Sequence, residues 1–235
     1  IKQGVAAAWG KQEELEGVGG ALVEGSVVVL VEPGVYEEER VMVGGGKCVS
    51  IWGRGRESES NKEEMQKVEW RSRDEWTLVA NGSAAVVSVN GMHMSATKSE
   101  GYDGEEFSCV DAVGGATLSL EGCDLTCEGG ASVAAFGDNG TTGVVFGCCI
   151  HDGNSGGVLI ANGASATLEN NNIHSNTMAG VRVQDEGSEA VLRGNRIHDG
   201  KGEGVFIVEG ASATLESNTI TDNDQTGVTI ADHAT

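Results

Sequence analysis

Three histidines recur at a nearly constant spacing in the second half of the chain. His151, His174 and His198 are 23 and 24 residues apart, and an aspartate directly follows the first and the third of them. If the chain forms stacked repeats, these imidazoles lie one above another, where a neighbouring carboxylate could orient one of them as a general base. The candidate catalytic residues are therefore His174, His198, Asp199 and Asp222.

The same row also has a simpler interpretation, as polar residues that face solvent at the end of a strand. We favour it, since perturbed titratable groups mark functional sites only statistically. The row ends in Thr221, and no converging carboxylates or cysteines with zinc-ligand spacing accompany it. The sequence therefore predicts no metal site and no cofactor.

A second column of residues faces outward from the first strand of each repeat. Two of its members, Asp111 and Arg182, would lie three repeats apart, roughly 14 Å at the ordinary strand spacing, which is too far for paired work on one bond. Arginine and aromatic residues are enriched at recognition surfaces. We therefore predict a binding patch formed by Leu159, Arg182 and Phe206, with Asp111 further along the column. The predicted column is Asp111, Ala134, Leu159, Arg182, Phe206 and Thr229.

The histidine row and the outward column belong to a repeat that is clearest over residues 156–235. Its opening valine recurs at Val158, Val181, Val205 and Val228, in steps of 23, 24 and 23 residues. A fixed period of this size indicates a solenoid, in which each coil buries its apolar face against its neighbours. Alternation of small and β-branched residues predicts three short strands per coil. The fold class is therefore all-β, a parallel β-helix of about eight coils.

The alternation also predicts which side chains point into the core. The first strand contributes Val110 and Ala112, then Val133 and Ala135, then Val158 and Ile160. The second strand contributes Leu118 and Leu120, Val145, Ala166 and Leu168, Ala190 and Leu192, and Ala213 and Leu215. The third strand contributes Leu125, Ile150, Ile173, Ile197 and Ile220.

Asparagine recurs at the turn between the second and third strands, at Asn171, Asn195 and Asn218. Asparagine tolerates the left-handed backbone of a sharp turn and can bond to its neighbours above and below. We therefore predict a structural role for this column. Cys123 and Cys148 occupy the same row in earlier coils, either as a disulfide or as a pair of buried thiols.

We interpret residues 1–235 as one domain. Residues 1–25 form an N-terminal cap, with an amphipathic helix over 5–16, since an uncapped solenoid exposes its core. Two charge-dense stretches, 53–75 and 95–108, are predicted loop excursions, with one short strand from Val68 to Trp70 inside the first. Regular coils follow over 109–235.

The net charge of −21 excludes several partners. A field of this sign repels nucleic acid, anionic membrane surfaces and polyuronates, and it suits cationic or neutral partners. The longest apolar run, Val27 to Val31, is too short to cross a bilayer. Six cysteines without zinc or redox spacing favour a reducing, intracellular compartment. The stop at Thr235, directly after a first strand, predicts end-to-end association or a continuation of the protein.

The units Leu168 to Asn176 and Leu192 to His198 resemble the repeats of the pectate-lyase-like superfamily. They are similar to the carbohydrate-binding and sugar-hydrolase type repeats of F-box-only substrate receptors and periplasmic copper-maturation proteins. The stretch Val29 to Gly53 is similar to the opening coil of many such proteins. The resemblance implies a right-handed, single-stranded parallel β-helix. It supplies no catalytic residues, because neither the lyases' calcium-binding aspartates with their arginine base nor the epimerases' Asp-Pro-His-Asp signature is matched.

These observations lead to two main functional hypotheses, and a purely structural subunit without a ligand is a third. The first is a non-catalytic binding or scaffold module that recognises a protein or glycan partner, as part of a larger protein or assembly. The alternative is a carbohydrate-active enzyme, a lyase, hydrolase or epimerase acting on a neutral glycan.

Overall fold

The computed structural model describes most of the chain after residue 25. The described residues are 26–32, 34–37, 40–44, 47–53, 56–57, 65–66, 68–73, 76–99, 107–128 and 132–235. The predicted cap over 1–25, with its helix over 5–16, lies outside the described residues. Among the described residues, none forms an apolar helix of membrane-spanning length.

The regular structure of the described residues consists of short β-strands. They are β1 (Ser26–Val31), β2 (Gly34–Glu37), β3 (Val41–Gly44), β4 (Cys48–Gly53), β5 (Arg56–Glu57), β6 (Met65–Gln66), β7 (Val68–Arg73), β8 (Leu78–Asn81), β9 (Val86–Asn90), β10 (His93–Thr97), β11 (Ser108–Val113), β12 (Thr117–Glu121), β13 (Asp124–Glu128), β14 (Ser132–Phe136), β15 (Thr142–Phe146), β16 (Cys149–His151), β17 (Gly156–Ile160), β18 (Ser165–Glu169), β19 (Asn172–His174), β20 (Val181–Val183), β21 (Glu189–Arg193), β22 (Arg196–His198), β23 (Val205–Ile207), β24 (Ser212–Glu216), β25 (Thr219–Thr221) and β26 (Val228–Ile230).

Three parallel sheets of eight strands each form the sides of the solenoid. The first sheet contains β3, β8, β11, β14, β17, β20, β23 and β26. The second contains β1, β4, β9, β12, β15, β18, β21 and β24, and the third contains β2, β7, β10, β13, β16, β19, β22 and β25. Because the chain visits the sheets in turn and each strand pairs with its copy one coil away, the fold is the predicted parallel β-helix, with eight coils among the described residues.

The core is a narrow column of small and aliphatic side chains between the three sheets. The inward residues predicted for the second and third strands share common rows in the observed register, which confirms their alignment. These rows are Leu118–Gly143–Ala166–Ala190–Ala213, Leu120–Val145–Leu168–Leu192–Leu215 and Leu125–Ile150–Ile173–Ile197–Ile220.

The prediction for the first strand is wrong by one residue in a single coil. Val133 and Ala135 were expected in the inward rows, whereas the register places Ala134 and Phe136 there, although Val133 is also buried in the core. Ala135 therefore belongs to the outward column in place of Ala134. The observed inward rows are Val110–Ala134–Val158 and Ala112–Phe136–Ile160.

This shift is possible because Gly143, in the second sheet of the same coil, makes room for a large ring. Phe136 is fully buried. A Cβ atom added at Gly143 would overlap that ring, so the coil exchanges the usual sizes of two facing residues. The alternation of Val133 and Ala135 alone gave no sign of this exchange.

Both predicted excursions are shorter than expected. β7 (Val68–Arg73) lies inside the stretch 53–75 and pairs with β2 and β10, while Val68 and Trp70 are buried. Its charged residues are the outward members of an ordinary strand, which is why composition alone suggested a loop. In the second stretch, β10 continues to Thr97 and β11 begins at Ser108.

The asparagine column forms the expected ladder. Asn171 accepts a hydrogen bond on Oδ1 from the backbone amide of Cys148 (2.9 Å) and donates from Nδ2 to Asn195 Oδ1 (2.9 Å). Asn195 likewise donates from Nδ2 to Asn218 Oδ1 (3.0 Å). The left-handed residue of each turn is the one that precedes the ladder asparagine. Asn170, with φ 54°, precedes Asn171 in this way.

The ladder continues into the earlier coils through cysteines. The backbone amide of Cys123 donates to Cys148 Sγ at 3.4 Å. Both thiols are buried and free, so the structure has the pair of thiols rather than the disulfide.

Candidate functional site

A groove of about 390 Å³ lies along the first sheet, where side chains of adjacent strands meet the turns that precede them. Leu159, Arg182 and Phe206 of the predicted patch all line it, and they are register neighbours on β17, β20 and β23. The lining residues are Ser132, Ser155, Gly156, Val158, Leu159, Met178, Ala179, Arg182, Gln184, Glu203, Phe206 and Gln225.

Arg182 is the central polar residue of the groove. Its guanidinium carbon lies 5.2 Å from the centre of the Phe206 ring, within the range of a cation–π contact. Its Nε is buried and has no hydrogen-bond partner among the described residues. A buried donor without a partner costs stability unless a ligand supplies an acceptor.

Asp111, the fourth predicted binding residue, does not line the groove. It occupies the same outward column, but Ala135 and Leu159 separate it from Arg182. Burial raises the pKa of Asp111 to about 6, while a hydrogen bond from Trp76 acts in the opposite direction and the nearby Asp138 charge adds to the rise.

The three recurring histidines stack on the outer surface of the third sheet. The ring centres of His151 and His174 are 4.9 Å apart with planes inclined by 7°, and those of His174 and His198 are 5.2 Å apart with planes inclined by 21°. Thr221 follows His198 in the register, as predicted. We call the outward surface formed by Asp124, Cys149, His151, His174 and His198 the histidine face.

Carboxylates contact this stack from two sides. Asp124 bonds through Oδ2 to His93 Nδ1 (2.9 Å) and through Oδ1 to His151 Nε2 (2.7 Å). The other ring nitrogen of His151 bonds to Asp152 (2.8 Å). Hydrogen bonds from His151 and His93 hold the pKa of Asp124 well below its usual range, and the bond to Asp124 raises the pKa of His151.

The predicted catalytic residues are all on or next to this face, outside the lining of the groove. His198 Nδ1 bonds to Asp199 Oδ2 at 2.6 Å, whereas His174 bonds to Ser175 and to the thiol of Cys149 instead of an aspartate. Burial, with the charges of the two neighbouring histidines, lowers the pKa of His174. Asp222 accepts a hydrogen bond from Thr221.

The aspartates that follow His151, His198 and Thr221 in this row also have a backbone role. Asp152, Asp199 and Asp222 adopt φ values of 54°, 52° and 54°, in the left-handed region. Aspartate tolerates this conformation better than most residues. The recurrence of Asp after His therefore reflects the turn as well as any chemistry.

Two residues of the histidine face were not predicted from the sequence. Asp124 and Cys149 pair in register, and with His151 they bring three metal-binding atoms within 4.8 Å of one another. The sequence predicted no metal site because only residues that repeat from coil to coil were aligned, and neither Asp124 nor Cys149 repeats. The register of the third strands was the signal that could have revealed them.

The stacked parallel sheets, the asparagine ladder and the surface groove define a β-helix protein. A family model described as the right handed beta helix region matches residues 81–235, and the chain belongs to that family. The coil is therefore right-handed, as the resemblance implied.

Comparison with curated proteins gives no match. Among solved structures, the chain is similar to the A-module of the Azotobacter vinelandii mannuronan C-5 epimerase AlgE4, with 15% identity and a TM-score of 0.27 over 100% of this chain and 94% of that chain. It is also similar to the A-module of AlgE6 from the same organism, with 14% identity and a TM-score of 0.21 over 89% and 90% of the two chains. At these values the likenesses carry no information on function.

Proposed function

We propose that this protein is a non-catalytic binding module whose groove on the first sheet holds a segment of a neutral glycan. The observation that carries the proposal is the lining of the groove, in which Leu159, Met178 and Phe206 supply apolar surface beside Arg182 and Glu203. Small-molecule sites combine apolar walls with a few polar groups in cavities of about 300–1,000 Å³.

The groove lacks the pairs of groups that glycan chemistry needs. Arg182 and Glu203 are the titratable members of its lining. Glycoside hydrolysis ordinarily uses two carboxylates on either side of the scissile bond, and the groove offers one. A groove with one acid, one guanidinium and amide side chains is suited to holding a ligand.

The size of the groove and the net charge of the protein favour a neutral glycan over other partners. A standard protein interface buries about 800 Å² on each partner, which needs a broad surface rather than a narrow cavity. The net charge of −21 disfavours polyuronates. Gln184, Gln225 and Ser155 place hydrogen-bonding groups along the lining, which suits the hydroxyl groups of a neutral sugar.

A glycan array that carries neutral and uronate oligosaccharides tests this proposal. We expect binding to neutral members and a loss of roughly thirtyfold or more in Arg182→Ala/Phe206→Ala, because truncating such an anchor commonly costs about 2 kcal/mol. The control Arg193→Ala/Phe146→Ala removes the same residue types from exposed positions of the second sheet. Binding only to uronates or proteins, or an equal loss in the control, would overturn the proposal.

The second candidate is a carbohydrate-active enzyme acting on a neutral glycan. The short His198–Asp199 contact of 2.6 Å favours it, because an aspartate that orients an imidazole is the usual partner of a histidine base. Product analysis of each bound glycan separates the two. Turnover that disappears in His174→Ala or His198→Gln would replace the binding module with an enzyme.

A further inference from the structure

We propose that Asp124, Cys149 and His151 bind a zinc ion on the histidine face, apart from the groove. Carboxylate oxygen, thiolate sulfur and imidazole nitrogen are the atoms that zinc takes from proteins. One such atom from each residue lies within 4.8 Å of the other two. The three side chains are half-buried, so an ion could enter from solvent and still be held by a partly enclosed site.

The fold fixes these three side chains in relation to one another. Asp124 on β13 and Cys149 on β16 are direct partners across adjacent strands. His151 follows Cys149 by two residues and therefore faces the same side of the strand. The ligands come from two paired strands in the middle of the solenoid, and sites on strands are held more precisely than sites on loops.

The surrounding hydrogen bonds have the arrangement expected around a metal-binding histidine. His151 directs Nε2 toward Asp124 Oδ1 (2.7 Å) and bonds through Nδ1 to Asp152 Oδ2 (2.8 Å). Histidines that bind metals usually bond their second nitrogen to a carboxylate or carbonyl, which fixes the ring. On the other side, His93 Nδ1 bonds to Asp124 Oδ2 (2.9 Å) and fixes that carboxylate.

The Asp124–His151 pair needs little movement to admit the ion. Oxygen and nitrogen ligands around tetrahedral zinc lie about 3.3 Å apart, so Asp124 and His151 would separate by about half an ångström as the ion replaces their hydrogen bond. Cys149 gives its thiol proton to solvent and binds as the thiolate.

His174 is not a ligand in this geometry, although its Nε2 lies 3.4 Å from Cys149 Sγ. Its ring stacks on that of His151 with centres 4.9 Å apart and planes inclined by 7°, so the in-plane lone pairs of the two rings do not meet at one ion. Three protein ligands leave the fourth position of a tetrahedral zinc ion to water.

Calorimetric titration of the full-length, chelator-treated chain with zinc tests the site. We expect one tight site per chain, weakened about a hundredfold or more in Cys149→Ser and in His151→Gln. The matched controls are Cys48→Ser, which removes a half-buried thiol from the second sheet, and His233→Gln, which removes an exposed imidazole. Both controls should bind zinc as the wild type does.

Cobalt provides a second readout that is specific for the sulfur ligand. A thiolate-to-cobalt absorption band should appear in the wild type and in Cys48→Ser and be absent from Cys149→Ser. Circular dichroism confirms that each variant is folded. No tight zinc binding, unchanged binding in Cys149→Ser, or an equal loss in Cys48→Ser would overturn the proposal.

Discussion

The groove on the first sheet and the histidine face on the third sheet belong to the same coils, but they use the stacking of coils in opposite ways. Along the groove, the outward column changes residue type at each step, from Leu159 to Arg182 to Phe206. On the histidine face the type is kept, so His151 and His174 contact each other as like groups. The coil therefore fixes where a side chain lies, and the variation along a column decides whether the surface becomes a cavity or a stack.

The two surfaces also differ in how far their polar groups are satisfied. His151 bonds to carboxylates through both ring nitrogens, and His198 bonds through both to Asp199 and Asn172. In the groove, Arg182 Nε is buried without a partner among the described residues. The histidine face is thus held by its own contacts, while the groove contains a buried donor that those contacts do not satisfy.

The largest expected effect concerns the asparagine ladder formed by Asn171, Asn195 and Asn218. Asn195 donates from Nδ2 to the carbonyl of Leu168 (2.8 Å) and accepts on Oδ1 from the amide of Asn171 (3.0 Å). Asn195→Ala leaves several buried groups unpaired at about 1–3 kcal/mol each, so we expect a loss of about 4 kcal/mol in urea unfolding. The exposed Asn139→Ala should cost under about 0.5 kcal/mol. A comparable, small loss in both would show that the ladder contributes little.

The next effect concerns Asp111 in the first sheet and depends on pH. Because the pKa of Asp111 in the folded protein is about 6, above its ordinary value, folding favours the protonated acid. This stabilisation is complete at about pH 3 and is lost as the pH rises through 6, so Asp111→Asn should be more stable than the wild type at pH 7 by about 3 kcal/mol. The difference should vanish near about pH 3 in urea unfolding.

Glu121→Gln, at an exposed position of the second sheet, is the control for that comparison. It should leave the stability at pH 7 within about 0.5 kcal/mol of the wild type, as is usual for surface substitutions. If Asp111→Asn were as stable as the wild type at both pH values, burial of the Asp111 carboxylate would have no free-energy cost.

A smaller effect is expected in the core behind the groove sheet. A Cβ atom at Gly143 overlaps the Phe136 ring, so Gly143→Ala should cost about 2 kcal/mol by overpacking. In a Phe136→Leu background the same substitution should cost close to nothing. Urea unfolding of the four proteins in a double-mutant cycle measures the coupling, and equal costs in both backgrounds would exclude it.

The smallest effect separates stability from binding in the groove. Arg182→Met removes the unpaired Nε and also the contact with Phe206, so its free energy of unfolding should change by less than about 1 kcal/mol. Binding of the neutral glycan should nevertheless be lost. A destabilisation above about 2 kcal/mol would instead give Arg182 a structural role.

The repeating residues were predictable from the sequence because each occurs at a fixed interval. The rows of His151, Asn171 and Ile173 were aligned correctly for this reason. Asp124 and Cys149 share a row with Asn172, Arg196 and Thr219, and no residue type recurs in it. Their proximity therefore depends on the register of the sheet, which spacing alone does not give.

The remaining differences come from compensation between distant residues. Phe136 takes an inward position only because Gly143 lies opposite, and a pattern read along one strand contains no information about the facing strand. β7 was partly missed because Glu69 and Arg71 face solvent while Trp70 is buried. The left-handed turn residues precede the ladder asparagines. The recurrence of asparagine marked the hydrogen-bonding position of the turn and not the position with positive φ.

The exchange of sizes between Phe136 and Gly143 also limits how such a gene can be rearranged. A crossover between complete coils keeps both residues together and simply lengthens or shortens the protein. A crossover that falls between 136 and 143 would place Ala166 of the next coil opposite the phenylalanine ring, where its methyl group would occupy the position at which an added Cβ overlaps the ring. A crossover within this coil should therefore destabilise the protein by overpacking, whereas a crossover between complete coils should not.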